Sequence, residues 1–259
     1  IEPETNTVAD LIPQILPGSA DEFRLLTDAV GGKGYRQIDI NLGCPFPMIA
    51  GKHKGAGMLL YPAQVAEVLA PIAEYPEIQF SLKMRLGWEN ASECMVLVEL
   101  LNTLRLSRIA LHARTGKQQY KGHPDLEAFQ GFYELCQHPL YYNGDIESLS
   151  DIRQILIRFP LLKGVFIGRG LLSSPLLAKE FKGNETFLPE QRMSIYFAFH
   201  EELFSAYSQV LQGETQLLVK MKTLWEYFLP ETDRKLLKRI KKSTRLQQYT
   251  ESVKAIFTS

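Results

Sequence analysis

Residues 78–113 read IQFSLKMRLGWENASECMVLVELLNTLRLSRIALHA, and this stretch decides the fold class. Two runs rich in apolar and β-forming residues, 78–84 and 108–113, flank an amphipathic segment with helical spacing at 93–104. Two strands joined by a helix of this length are typical of a βαβ unit, in which the strands are parallel and the crossover is right-handed.

The same alternation extends in both directions along the chain. Further strands are predicted at 11–15, 37–42, 139–143 and 164–168, and further helices at 19–30, 62–74, 126–137 and 149–158. After a linker at 182–189, only helices are predicted, at 190–211, 214–228, 231–242 and 247–257. We therefore expect an α/β domain over residues 1–181 and a small all-α helical bundle over residues 190–259.

The composition excludes several classes of protein. Of the 259 residues, 45% are apolar and 22% are charged, which is typical of a globular chain and not of collagen, a coiled coil or a disordered protein. No run of 18 apolar residues occurs, and residues 1–14 lack the pattern of a secretory signal. Three scattered cysteines form neither a disulfide framework nor a Cys-x-x-Cys metal site, so we expect a cytoplasmic protein that binds no metal and no membrane.

Basic residues are concentrated near the C-terminus, although the formal net charge is zero. Seven lysines and arginines lie within residues 234–245, with no carboxylate among them. Helical spacing places most of them on one broad face, which suits a polyphosphate backbone. The alternative is a solvated helix face with Leu236, Leu237 and Ile240 packed beneath it.

Polar residues gather where the predicted strands end. Five of the six strands end in such residues, and Gln14 lies near the end of the other strand. The pairs are Asn41 with Cys44, Lys83 with Arg85, His112 with Arg114, Asn143 with Gly144, and Gly168 with Arg169. Each has an ordinary structural explanation by itself, but buried cations need anionic partners, and the strand ends offer few carboxylates. We expect an anionic ligand to supply the missing charge, with its phosphate near 143–145 and 168–170.

The motifs DINLGCP, KMRLG, LHARTGKQQYKG, YYNGDI and IGRG, in this order, closely resemble those of the tRNA-dihydrouridine synthases. The likeness runs from about residue 11 to residue 181, and the helical tail resembles the RNA-binding bundle of that family more loosely. The resemblance implies a TIM-type (β/α)8 barrel that binds FMN, followed by a tRNA-binding helical domain. It also implies an oxidoreductase that reduces uridine in tRNA to 5,6-dihydrouridine with NADPH, and we expect it to be monomeric.

The resemblance assigns roles to individual residues. Cys44 would be the proton donor to C5 of the uracil, because a thiol with an ordinary pKa of about 8.5 is still protonated near neutrality. Lys83 would stabilise negative charge on the reduced flavin. Asn41 and Arg85 would bind the uracil, with Arg114 and Lys52 also near the substrate, although Lys52 has the alternative of a solvated loop lysine. The residues that would hold FMN are Gln14, Lys83, His112, Asn143, Gly144, Gly168 and Arg169.

This sequence departs from the pattern of the family in two ways. Gly116 stands where the family often has a second arginine. Only six barrel strands are predicted where a closed barrel has eight, and we expect that the sequence omits an N-terminal stretch carrying the first two. Two alternatives to the family function are an FMN barrel that reduces a small molecule, as dihydroorotate- or ene-type reductases do, and a non-catalytic RNA-binding protein. The modified tRNA position and the choice between NADPH and NADH are not encoded in these motifs.

Overall fold

A computed structural model describes residues 2–5 and 11–258 of the chain. The chain folds into two compact units. The first unit comprises Ile1–Asp145 and Arg153–Phe166, and the second comprises Ile146–Ile152 and Ile167–Ser259.

A six-stranded parallel sheet forms the centre of the first unit. Its strands lie in sequence order, and each is paired in parallel with the next. This is the topology of consecutive units in a (β/α)8 barrel, and it confirms the predicted parallel α/β architecture. The strands are β1 (Gln14–Ile15), β2 (Gln37–Leu42), β3 (Gln79–Gly87), β4 (Leu106–Thr115), β5 (Leu140–Asn143) and β6 (Gly164–Phe166).

Helices connect these strands, and two of them begin after residues that are favoured at the N-cap position. Ser19 and Asp125 are N-caps, and their side chains accept hydrogen bonds from the backbone N–H groups of Glu22 and Ala128. The helices are α1 (Ala20–Gly31), α2 (Pro47–Ala50), α3 (Pro62–Leu69), α4 (Glu93–Thr103), α5 (Leu126–Leu135) and α6 (Leu149–Arg158), with 3₁₀ segments at Pro3–Thr5, Gly55–Leu60 and Ala70–Glu74. The predicted helix at 62–74 is therefore a short α-helix continued by a 3₁₀ segment.

The apolar side chains of the central strands are buried beneath these helices. Ile38, Ile40 and Leu82 are completely buried, and Phe23 of α1 packs on Phe80 of β3 with ring centroids 5.2 Å apart. Central strands of a parallel sheet are covered on both faces, so they read as almost continuous apolar runs. Polar residues at the carboxyl ends of such strands are therefore conspicuous, and they form the site described below.

The second unit is helical and has its own apolar core. Trp225, Phe228 and Tyr249 are buried at its centre, where the Tyr249 hydroxyl lies 2.7 Å from Nε2 of His200 and accepts a hydrogen bond from Nε1 of Trp225. The helices are α7 (Arg169–Ser173), α8 (Leu177–Gly183), α9 (Pro189–Val210), α10 (Gly213–Leu224), α11 (Arg234–Lys242) and α12 (Leu246–Phe257). None of the helices in the described part of the chain combines the length and the hydropathy that a membrane-spanning helix requires.

The second unit begins before the predicted domain boundary at 182–189. Leu176 belongs to its apolar core, and Glu180 of α8 forms an ion pair with Arg192 of α9. The hydroxyl groups of Ser174 and Tyr196 lie 2.7 Å apart. These contacts explain why the helices that precede the expected linker pack with the bundle.

Candidate functional site

The carboxyl edge of β1–β5 brings several of the predicted site residues of the first unit together. Asn41 of β2 lies beside Lys83 of β3 in the sheet register, and Arg85 of β3 lies beside His112 of β4. His112 in turn lies beside Asn143 of β5. Because parallel strands place their carboxyl ends at one edge, residues far apart in the sequence form one cluster.

Cys44 lies in a turn that is fixed from two sides. The Asn41 side-chain oxygen accepts hydrogen bonds from the backbone N–H groups of Gly43 and Cys44, each at 2.9 Å. The carbonyl of Cys44 accepts a hydrogen bond from the N–H of Ala56 at 3.0 Å. Gly55 adopts φ +56°, and a Cβ at this position would lie 2.8 Å from that carbonyl. The half-buried thiol thus projects from a rigid backbone.

Asp39 is a buried member of the cluster that the sequence reasoning missed. Its carboxylate accepts hydrogen bonds from Nε2 of Gln14 at 2.6 Å and from the Ser81 hydroxyl at 2.5 Å. Gln14 also accepts a hydrogen bond from the Asn41 amide at 2.7 Å. This network fixes the amide orientation of both residues. An aspartate within the apolar strand sequence QIDINL was the available signal.

Lys83 is a half-buried cation at the centre of the edge. Burial lowers its pKa, and the nearby Arg85 lowers the pKa further, whereas Asp39 and Cys44 oppose the shift. Within the part of the chain that the structure describes, its ammonium donates no hydrogen bond to a side chain or a carbonyl. Such an ammonium group fits an anionic or strongly accepting ligand.

Arg85 is 2% exposed and joins two loops. Its Nε donates to the carbonyl of Gly43 at 3.0 Å, and its Nη1 donates to the carbonyls of Thr115 and Gln119, both at 2.8 Å. Burial lowers the pKa of Arg85 to about 10. The described residues offer no acceptor to its Nη2, which therefore keeps donors for a ligand.

Arg114 has an anionic partner within the first unit. It is 1% exposed, and its guanidinium makes a bidentate pair with Asp145 at 2.8 and 2.5 Å. It also donates to the carbonyls of Lys121 and Gly122, and it lies 3.5 Å from Nε2 of His112. The expectation that a ligand supplies the missing charge is therefore wrong for Arg114, because Asp145 supplies it. The two residues are 31 positions apart, so their pairing follows only from the fold. Four N–H groups of Arg114 therefore donate to oxygen atoms of the protein.

His112 is a neutral imidazole enclosed by cations. Burial lowers its pKa to about 2, and Arg85, Lys83 and Arg114 lower it in that order, opposed by Asp145. A neutral ring can both donate and accept a hydrogen bond at physiological pH.

The depressed pKa of His112 predicts a loss of stability in acid. Below the ordinary pKa of 6.5, His112 binds a proton in the unfolded chain but not in the folded chain. The free energy of unfolding therefore falls as the pH falls. Well below that value the difference approaches one proton, so we expect His112 to contribute a slope of about 1 kcal/mol per pH unit there. Urea unfolding without flavin at several pH values, compared with His112→Asn, measures the slope. An unchanged slope in the variant would contradict this prediction, since His200 remains in both proteins.

The remaining predicted site residues lie in different surroundings. Asn143 donates a hydrogen bond to the carbonyl of Phe166 at 2.9 Å, and Gly144 follows it with φ +150°. Lys52 is exposed on a turn after α2. Gly168 and Arg169 belong to the second unit, where they begin α7, so their part in the site stays a prediction.

The second unit contains a basic cleft, formed between α11 and α12. Its volume is about 540 Å³, and it is lined by Lys235, Lys238, Arg239, Lys242, Ser243, Gln248, Glu251 and Ser252. Ile240 of α11 is completely buried, as the alternative of a solvated helix face requires. The cations of the same helix nevertheless surround a concave surface large enough for a phosphate group and its sugar.

Tyr120 is another residue that the sequence reasoning missed. Its ring is exposed, and the guanidinium carbon of Arg85 lies 5.7 Å from the ring centroid. A lone aromatic residue in the polar loop TGKQQYKG was the signal that could have identified it.

Comparison with known proteins places the chain in a family. A family model described as dihydrouridine synthase matches residues 3–258. A protein of Rhizobium leguminosarum named "Probable tRNA-dihydrouridine synthase" is 32% identical over 53% of this chain and 44% of its own length. The tRNA-dihydrouridine synthase B of Vibrio vulnificus is 28% identical over 61% of this chain and 50% of its own length. The chain thus spans about half the length of the curated relatives it matches.

Solved structures are less similar. A histamine dehydrogenase from Rhizobium sp. 4-9 aligns with 64% of this chain and 27% of its own, at 16% identity and a TM-score of 0.49, which supports no assignment. The sequence family model, in contrast, extends across both units and includes every strand-end motif. On this ground the chain belongs to the dihydrouridine synthase family.

Proposed function

We propose that this chain carries the catalytic site of an enzyme that reduces uridine in tRNA to 5,6-dihydrouridine with FMN and NADPH. The observation that carries the proposal is the position of Cys44 at one edge of the sheet, in a chain with this family match. Its backbone is held by Asn41, which lies beside Lys83, and Arg85 binds the preceding carbonyl of Gly43. Two of the relatives are named as tRNA-dihydrouridine synthases.

The edge of the first unit suits a flavin phosphate ester or a reduced flavin ring. Lys83 has a half-buried ammonium without a hydrogen-bond acceptor in the described chain, and His112 offers a neutral imidazole beside it. Gln14, Asn143 and Gly144 would complete this part of the FMN site, and Gly168 and Arg169 remain further predictions. Bound FMN would pass the hydride of NADPH to the substrate.

The protein side chains would supply the proton and the orientation. Reduction of the C5=C6 bond adds one hydride and one proton, and the Cys44 thiol would give its proton to C5 and recover one from solvent. Arg85 keeps Nη2 donors for a uracil carbonyl, and Asn41 keeps one N–H while its oxygen holds the Cys44 turn. We assign Arg114 to holding the adjoining loop, because four of its N–H groups donate to Asp145 and to the loop carbonyls.

The basic cleft of the second unit would bind the tRNA backbone. Lysines and arginines that neutralise phosphates supply affinity that is independent of sequence and falls with salt. The exposed Lys52 of the first unit is a second candidate contact. Neither assignment depends on the identity of the modified nucleotide.

The experiment is an assay of the flavin-loaded protein with NADPH and tRNA transcribed in vitro. We expect dihydrouridine in the digested tRNA, detected by mass spectrometry of the nucleosides, and a visible flavin spectrum in the purified protein. Comparison of tRNA from cells with and without the gene then locates the modified position.

A small-molecule substrate would give a different pattern. Reduction of an α,β-unsaturated carbonyl compound without any product from tRNA would support the ene-reductase alternative and contradict this proposal. A protein without flavin and without reduction of either substrate would support the non-catalytic alternative. Reversal of charge at Lys238 and Lys242, two exposed cations of the basic cleft, should weaken tRNA binding and leave the flavin spectrum unchanged if the bundle binds the RNA.

A further inference from the structure

Two buried arginines hold the loop at residues 115–122, which we call the Tyr120 loop. Arg85 binds the carbonyls of Thr115 and Gln119, and Arg114 binds those of Lys121 and Gly122. Both guanidinium groups are almost completely buried, and Arg114 is itself held by Asp145. Four carbonyl groups of one short loop are thus fixed by charge-assisted hydrogen bonds.

The backbone of the Tyr120 loop is rigid for further reasons. The N–H groups of Gly116 and Lys117 donate to the carbonyls of Gly87 and Trp88 at 2.7 and 3.0 Å. The backbone N–H of Thr115 donates to the side chain of Gln118 at 2.7 Å. Gln119 adopts φ +52°, a conformation that costs free energy for a residue other than glycine. The surrounding bonds therefore impose a defined conformation immediately before Tyr120.

This anchoring presents an aromatic ring to solvent instead of burying one. Tyr120 is 58% exposed, and its ring centroid lies 5.7 Å from the guanidinium carbon of Arg85 and 6.3 Å from the ring of His112. Arg85 also binds the carbonyl of Gly43, the residue before Cys44. The exposed ring is therefore positioned beside the groups that would act on the substrate.

We propose that Tyr120 is a stacking residue for the uracil that leaves its base stack, and that Arg85 and Arg114 position its ring. A base withdrawn from its stack loses contact on both faces, and an aromatic side chain restores part of that contact. The interaction needs the ring and not the hydroxyl group. The inference rests on the proposed function, and it adds a contact with the face of the base.

The experiment separates the two half-reactions of flavin-loaded protein in a stopped-flow instrument. NADPH first bleaches the flavin absorbance, and tRNA transcribed in vitro then restores it. For Tyr120→Leu we expect flavin binding and the NADPH step to be unchanged, and the apparent second-order rate constant with tRNA to fall about 5- to 100-fold. Tyr120→Phe should remain within about twofold of the wild type, because it retains the aromatic face. Leu25→Ala, an exposed apolar residue on α1, is the control for a surface change.

Each outcome decides the inference. A Tyr120→Leu protein that reacts with tRNA at the wild-type rate would overturn it, and so would a loss confined to the NADPH step or to flavin binding, since the ring would then serve the cofactor. A Tyr120→Phe protein as slow as Tyr120→Leu would assign the role to the hydroxyl group and overturn stacking. If the wild-type flavin is reduced by NADPH but is not reoxidised by tRNA, the proposed function fails, and this inference fails with it.

Discussion

Replacement of Cys44 with alanine is expected to leave flavin binding intact and to lower the rate of tRNA reduction by about 10²- to 10⁴-fold, the usual contribution of a general acid. Cys44 is the half-buried thiol at the carboxyl edge, beside Lys83 and Arg85. Asn41 and Gly55 fix its backbone without using the thiol, so the variant should fold normally. The flavin spectrum and the yield of dihydrouridine measure the two parts of the prediction.

The chain provides a matched control for this variant. Cys136 is also partly buried, but it follows α5, and its Sγ lies 3.8 Å from the carbonyl oxygen of His138. Cys136→Ala should retain activity. Cys44→Ser should lose most of its activity although it conserves size, because an alcohol is a much weaker acid than a thiol. Turnover of Cys44→Ala at a rate similar to that of Cys136→Ala would remove Cys44 from the proposed mechanism.

The strands were predictable because burial on both faces imposes continuous apolar runs. The bounds of β2 agree with the prediction at both ends, whereas β1 is only Gln14–Ile15 instead of 11–15. Pro13 lacks an N–H and cannot donate to the ladder, although its carbonyl accepts a hydrogen bond from Asp39. β3 and β4 extend beyond the predictions to Gly87 and Thr115, since their polar ends are held by neighbouring strands.

The site was less predictable, because spacing in a sequence does not show which polar groups satisfy one another. Cations at consecutive strand ends indicated an anion-binding edge. In the described part of the chain, the half-buried ammonium of Lys83 donates no hydrogen bond, as that interpretation requires. Arg114 shows the limit of the reasoning, since Asp145 neutralises it across 31 residues. Asn41 was assigned to the uracil by resemblance, but its oxygen is used to hold the Cys44 turn. Such assignments need the loop conformation, which local propensity does not determine.

Replacement of Asp145 with asparagine is expected to destabilise the first unit by about 3 kcal/mol, because it leaves Arg114 buried without an anion. This value lies at the lower end of the range for broken buried pairs, since the Asp145 side chain is about one-third exposed and asparagine still accepts a hydrogen bond. Asparagine also tolerates the φ of +38° at this position, so backbone strain does not contribute. Urea unfolding measures the change in the free energy of unfolding.

The pair of Arg24 with Glu74 is the control, because its geometry is similarly bidentate but both side chains are exposed to solvent. Glu74→Gln should cost much less stability than Asp145→Asn, since water replaces the lost charge partner. The double variant Arg114→Met with Asp145→Asn should be more stable than Asp145→Asn alone, because no unpaired guanidinium remains. It should nevertheless react slowly with tRNA, since the carbonyls of Lys121 and Gly122 lose their donor and the Tyr120 loop is no longer held. Equal losses of stability in Asp145→Asn and Glu74→Gln would show that burial of Arg114 carries no special cost, and would contradict its role in holding the loop.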